Sequence, residues 1–186
     1  MPREDEAAEP NGALTRGTPA EAIPRIAREI AGLDPGPAAA LRRGPGAGAG
    51  AAAFWKLLAE HNLSSERRWA PVIQAIAILT PKGRHSARRP AHDHSIPMGK
   101  ALYDAGVSEL RLARLLGARA DLRPRLAVRV CRRLATTDSN HFNLVTLGDF
   151  VLFGHEGIDR RIARDYYRAE AAARRKSEDR ETPTDA

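Results

Sequence analysis

The sequence has little cysteine, few aromatic residues and no long hydrophobic run. Cys131 is the single cysteine among 186 residues, which excludes an intrachain disulfide framework and a cysteine-rich zinc site and favours a reducing compartment. The acidic N-terminus lacks the apolar stretch of a signal peptide. The longest apolar run, 72–79, is far shorter than the ~20 residues that span a bilayer. We therefore predict a soluble, cytoplasmic protein with no membrane partner.

The sequence also lacks the residue patterns of common catalytic and cofactor sites. Its Asp and Glu residues form no pair suited to acid–base chemistry, and Cys131 has no predicted histidine partner, so packing is the better interpretation. The glycine-rich stretch 44–50 lacks the Lys-Ser/Thr and the preceding strand of a phosphate-binding loop. His85, His92 and His94 do not have the ligand spacing of a zinc site. We predict no catalytic residue, no metal and no cofactor.

Apolar residues recur at helical spacing along most of the chain, and no stretch alternates long enough to indicate a strand. The pattern predicts an all-α fold, a compact helical bundle of roughly seven to nine helices with flexible termini. Its predicted parts are a disordered leader (1–17), a helical domain (18–174) containing a basic loop (80–97), and a disordered tail (175–186).

Several local expectations follow from the same spacing. Pro24 and Pro71 should strain, kink or restart the helices that contain them. Trp55 and Trp69 lie at helical spacing from aliphatic residues, and both are expected in the core. On the helix that follows Asp121, the predicted apolar stripe consists of Leu122, Leu126, Val130 and Leu134.

The positive charge is concentrated in the middle of the chain. The protein carries a formal net charge of +7, yet the segment 82–133 alone holds thirteen Lys and Arg against four acidic residues. The remainder is therefore net acidic, and an even compositional bias toward arginine would not produce this distribution. An uneven basic segment is the electrostatic signature of an anionic partner.

Within that segment, Arg125, Arg129, Arg132 and Arg133 fall on one predicted helix face. Such a face suits phosphates, because arginine stays charged and presents a fork of donors. The alternative is a solvated face whose arginines partly pair with nearby acids. No exposed aromatic residues interleave the patch, so stacking of bases on aromatic rings is not indicated.

The segment 106–119 and the helix after it have the cadence of a helix-turn-helix, which makes a free-standing transcription regulator the alternative function. Against that alternative, Pro124 lies in the first turn of the would-be recognition helix. The basic face also lies toward that helix's C-terminal half, whereas bases are usually read by the N-terminal half. An enzyme is a third and weaker alternative.

Three blocks, in their order and spacing, resemble the CasB-type small subunit of the type I-E CRISPR-associated Cascade complex. The first is LDPGPAAALRR at 33–43 with AFWKLL at 53–58. The second is MGKALYDAGVSELR at 98–111, and the third is VCRRL at 130–134 with the apolar helix that follows. The resemblance spans about 33–172. The loop 82–96 cannot be aligned with the family.

The resemblance implies a non-catalytic helical subunit that binds DNA and stabilises the R-loop during antiviral defence. It implies as partners DNA, as target or displaced strand, the crRNA-bearing backbone subunits and a second copy of the chain. Sequence reading would then belong to guide RNA pairing, so backbone contacts suffice.

Fourteen residues are candidates for nucleic-acid binding, some matched to the family's basic positions and others chosen on physical grounds. Arg114 also matches the family, but it lies close to the apolar side of its helix and is left out. The matched candidates are Arg42, Arg43, Lys100, Arg111, Arg132 and Arg133, with either Arg67 or Arg68 near one further family position. The candidates chosen on physical grounds are Lys82, Arg84, Arg88, Arg89, Arg125 and Arg129.

Overall fold

Proline residues mark the start of several helices. The computed structural model describes residues 18–44, 48–81 and 91–181, and the regular secondary structure in these ranges is helical, as predicted. Pro19 and Pro35 open the first two helices, where the absent N–H would have had no partner. The helices are α1 (Pro19–Gly32), α2 (Pro35–Arg43), α3 (Ala49–Glu60), α4 (Glu66–Leu79), α5 (Met98–Asp104), α6 (Glu109–Leu116), α7 (Leu122–Leu134), α8 (Leu144–Leu152) and α9 (Glu156–Glu181).

Two prolines lie inside continuous helices, so of the expected outcomes (strain, a kink or a restart) the restart is excluded. Pro24 lies within α1 and Pro71 within α4. Each removes one backbone hydrogen bond. Apolar residues on the same helices near each proline are fully buried, including Ile23 and Ile26 in α1 and Val72 in α4, so packing of the apolar face offsets the missing bond.

α4 forms the centre of the core. Seven of its residues are buried, among them Trp69, Val72, Ile73 and Ile76, each with no exposed surface. The helix packs against α1, α2, α7 and α8. A helix that is apolar on nearly every side is expected at the centre of a bundle.

α5 packs closely against α9 because Gly99 has no side chain. A β-carbon at Gly99 would lie 2.6 Å from the backbone nitrogen of Tyr166 and would also overlap the carbonyl oxygen of Ile162. The Tyr166 hydroxyl donates a 2.6 Å hydrogen bond to the carbonyl of Val107. The connection between α5 and α6 is therefore fixed against α9.

Two predictions about buried faces need correction. Trp69 is fully buried, but Trp55 is 53% exposed, because α3 buries Phe54, Leu57 and Leu58 and a helix buries only one face. On α7 the predicted stripe is rotated. The helix buries Arg123, Ala127, Cys131 and Leu134, whereas Leu122 is exposed and Leu126 and Val130 are half-buried.

Part of the predicted basic loop is pinned to the start of α8. The Asp93 N–H donates to the carbonyl of Phe142 (3.0 Å), and the Asn143 N–H donates to the carbonyl of Ile96 (2.8 Å). His92 Nδ1 accepts a 3.2 Å hydrogen bond from the N–H of Leu144, and burial lowers the pKa of His92, which favours the neutral accepting ring. Within the described ranges no three His, Cys, Asp or Glu side chains are grouped to hold a metal ion.

A buried ion pair joins α7 to α9. Arg123 donates two hydrogen bonds to the Asp159 carboxylate (2.7 and 3.0 Å) and a third to the carbonyl of Ala118 (3.1 Å). Its guanidinium carbon lies 4.5 Å from the ring centroid of Phe150 in α8. The Arg123 side chain is only 5% exposed, so one arginine holds together α7, α8, α9 and the turn after α6.

α9 is longer than predicted and continues to Glu181, so residues 175–181 are helical where a tail was expected. The predicted leader 1–17 and the last residues, 182–186, lie outside the described residues. None of the helices in the described ranges is both long and apolar enough to cross a membrane.

Replacing Asp159 with alanine should lower the free energy of unfolding by about 3 kcal/mol, because it leaves the buried Arg123 charge without its partner. Glu156→Ala is the matched control on the same helix, since Glu156 pairs with Arg160 on the surface. Its effect should be less than about 1 kcal/mol. Denaturant unfolding measures both, and equal losses would contradict a structural role for the buried pair.

Candidate nucleic-acid interface

A groove between α6 and α7 combines arginine and aliphatic side chains. Its volume is about 400 Å³. We call it the arginine groove, and it is lined by Val107, Arg111, Arg114, Leu115, Leu126, Arg129, Val130 and Arg133.

The groove follows directly from helical spacing. Its lining residues repeat at i, i+3 and i+4 on α6 and at i, i+3, i+4 and i+7 on α7, so each set forms one face. The neighbouring face of each helix points into the core through Leu112 on α6 and Cys131 on α7. The arginines therefore lie beside the buried face of each helix, and those of α6 and those of α7 line the same groove.

The four arginines of the groove are exposed, and none forms an ion pair with a described residue. Other basic candidates do have partners. Arg67 lies 3.3 Å from Asp121, and Lys100 lies 2.5 Å from Asp104. Arginine does not lose its proton near neutral pH, so the groove concentrates positive charge that a bound anion would stabilise.

Arg132 faces a different groove, so the prediction that it shares one face with Arg129 and Arg133 is only partly right. This second groove, of about 550 Å³, is lined by residues at the ends of α2, α4 and α7 and in the segment after α7, including Arg42, Thr80 and Asn140. Arg132 and Arg133 are consecutive residues, so their side chains leave α7 about 100° apart and point toward different grooves.

Arg42 has a clear structural role. Its Nε donates to the carbonyl of Ala77 (2.9 Å) and its Nη2 to the carbonyl of Thr80 (3.3 Å), which satisfies carbonyls at the C-terminal end of α4. Partial burial lowers the pKa of Arg42. Gln74 Nε2 in turn donates to the Arg42 carbonyl. Two of the arginine's donors are thus committed to the fold.

The remaining candidates are dispersed over the surface. Arg43, Arg68 and Arg125 are exposed, and Arg68 lines a small groove near the α6–α7 turn. The structure does not bring them together with the arginine groove. The loop candidates Lys82, Arg84, Arg88 and Arg89 lie outside the described residues.

Sequence reasoning missed the place of Arg114, which lines the groove beside Arg111. It also missed a row of exposed arginines on α9, whose spacings of three, four and seven put them on one face. Because α9 holds eight basic and seven acidic residues, its net charge gave no signal, although the spacing did. The row consists of Arg161, Arg164, Arg168 and Arg175.

The family model described as CRISPR-associated protein Cse2 matches residues 37–167, more than two thirds of the chain. The matched region includes α3 to α8 and the whole arginine groove. No curated protein and no solved structure matches the chain.

The variant Arg111→Gln with Arg133→Gln should bind single-stranded DNA about thirtyfold more weakly, since it loses two contacts to charged groups that each contribute on the order of 1 kcal/mol. Helicity and melting temperature should stay nearly unchanged, because both side chains are exposed. Fluorescence anisotropy at one salt concentration measures the affinity.

The matched control is Arg25→Gln with Arg28→Gln, which removes the same charge from exposed positions on α1. It should weaken binding by less than about twofold, the size expected of long-range charge effects alone. Equal losses in the two variants would mean that net charge, and not the groove, governs the affinity.

Proposed function

We propose that the chain, which belongs to the CRISPR-associated protein Cse2 family, stabilises the R-loop of a type I-E Cascade complex by binding DNA phosphates in the arginine groove. The family resemblance predicted from the sequence is confirmed. Family membership makes the chain a structural subunit of type I-E Cascade, a complex whose other subunits carry the crRNA.

The observation that carries the proposal is the convergence of four exposed arginines that lack acidic partners among the described residues. Arginines that merely solubilise a surface are usually interspersed with acids. Arg67, Lys100 and Arg123 have such partners, and the arginines of the groove have none among the residues that the structure describes. Phosphates are suitable anionic partners for the arginines of the groove, because their binding also releases condensed counterions.

A phosphate-binding subunit can act on an R-loop without reading sequence. Exchange of a DNA duplex for an RNA–DNA heteroduplex is nearly balanced in energy, so a few backbone contacts to an opened strand shift the equilibrium. On the order of 1 kcal/mol for each of four contacts would lengthen the life of the open state substantially.

A non-catalytic role is supported by the state of the cysteine. Cys131 is fully buried, and burial raises the pKa of its thiol to about 12, so the thiol is neutral and enclosed near neutral pH. Its packing role agrees with the prediction from sequence. A buried neutral thiol is a poor nucleophile.

The contacts at the start of α7 argue against the alternative of a free-standing regulator. A recognition helix presents its N-terminal turn to the major groove. In this protein that turn of α7 is held against α9 by Arg123 and Asp159, and Asp121 beside it lies in an ion pair with Arg67. These contacts oppose insertion of α7 into a DNA groove.

Assembly with other subunits is supported by large apolar side chains left on the surface. Leu110 is 81% exposed, and Trp55, Leu122 and Phe153 are each about half exposed. Exposed aromatic and aliphatic anchors are typical of protein interfaces. We propose that such residues contact the crRNA-bearing backbone subunits and a second copy of the chain.

The test uses the complete complex with its crRNA on one matched duplex, with the lifetime of the R-loop as the readout. Carrying Arg111→Gln with Arg133→Gln, the complex should assemble, but its R-loop lifetime should shorten toward that of the complex without this subunit. Carrying Arg25→Gln with Arg28→Gln, it should behave as wild type. An unchanged lifetime with the groove variant present in the purified complex would refute the proposal.

A further inference from the structure

We infer that the arginine groove binds an unpaired nucleotide, with the base against the aliphatic floor and the phosphate on the arginine rim. The inference rests on the proposed phosphate-binding function of the same groove. It goes further by stating that the bases of a bound strand contact the aliphatic floor of the groove and contribute to affinity.

The floor of the groove is the first argument. Half of the lining residues are aliphatic, and both α6 and α7 contribute aliphatic as well as arginine side chains. Val107 and Leu115 are almost fully buried, whereas Leu126 and Val130 remain half-exposed to the groove. A phosphate gains nothing from an apolar floor, but the flat face of a base would remove this apolar surface from water.

The dimensions of the groove are the second argument. Its volume of about 400 Å³ falls in the range of small-molecule sites, which run from about 300 to 1,000 Å³. One nucleotide fits such a space. A duplex presents phosphates and the edges of paired bases, so its base faces cannot reach the floor.

The arginines themselves can hold a base in the absence of aromatic rings. Guanidinium planes stack on nucleobases as well as binding phosphates. Two arginines come from each helix, and this arrangement provides both a stacking surface and phosphate donors on either side of the floor. The lack of interleaved aromatic residues therefore does not exclude contact with bases.

The groove is also formed before any ligand arrives. The Tyr166 hydroxyl holds the carbonyl of Val107 at one end of the floor, and the bidentate pair of Arg123 and Asp159 fixes the start of α7. Ala127 and Cys131, on the inner side of α7, are packed in the core. A preformed slot binds without the cost of ordering its walls.

The experiment compares three fluorescent DNA ligands of one length with the full chain: an ordinary single strand, its duplex, and an abasic single strand with the same number of phosphates. Because a base would remove the half-exposed side chains of Leu126 and Val130 from water, the abasic strand should bind about fivefold more weakly than the ordinary strand. The duplex should also bind more weakly than the ordinary strand, although its charge is higher.

Variants of the protein distinguish contacts to the aliphatic floor from contacts to the arginines of the rim. Leu126→Ser should reduce the ratio of the affinities for the ordinary and the abasic strand by about threefold, because it removes part of the apolar floor. Arg129→Gln should weaken both strands by a similar factor, because it removes a phosphate contact. Val130→Thr is a second floor variant of nearly the same volume, used if Leu126→Ser lowers the melting temperature.

Equal affinity for ordinary and abasic strands, both weakened by Arg129→Gln, would overturn this inference and leave the phosphate-binding function intact. Equal affinities that Arg129→Gln does not change would overturn both. If the ordinary strand binds more tightly than the abasic strand and neither floor variant reduces that difference in affinity, the bases contact another part of the protein. That result would also overturn the inference.

Discussion

The ion pair between Arg123 and Asp159 sets the position of α7, and the arginine groove depends on that position. Arg123 is enclosed by the carboxylate of Asp159, the carbonyl of Ala118 and the ring of Phe150, so the first turn of α7 cannot rotate. The helical period then determines where every later side chain points. Leu126, Arg129, Val130 and Arg133 consequently face α6.

The arginines of α7 thus have two different roles. An arginine paired with an acidic side chain stabilises the fold, and the arginines of the groove are open to an anionic ligand. A buried charge is tolerated at Arg123 because Asp159 pairs with it in bidentate geometry. The arginines of the groove remain exposed to water, which limits their mutual repulsion in the free protein. That repulsion is relieved when phosphates bind, so the same charges provide both solubility and affinity.

Much of the fold could be predicted from the sequence, because helical spacing and proline positions mark where most helices lie; the ordered motifs also identified the family. The sequence could not show which neighbour a helix face meets. Arg123 and Asp159 are 36 residues apart, and no local pattern links them. The same limit explains the errors on Trp55 and on the α7 stripe, and the unforeseen structural role of Arg42 at the end of α4.

The most direct test of phosphate binding in the groove is the salt dependence of its affinity for single-stranded DNA. Each arginine that contacts a phosphate contributes about 0.7 to the slope of log affinity against log salt concentration. Arg114→Gln with Arg129→Gln should therefore reduce the slope by about 1.4 while the protein stays folded. A variant that binds more weakly with an unchanged slope would contradict phosphate contact by these arginines.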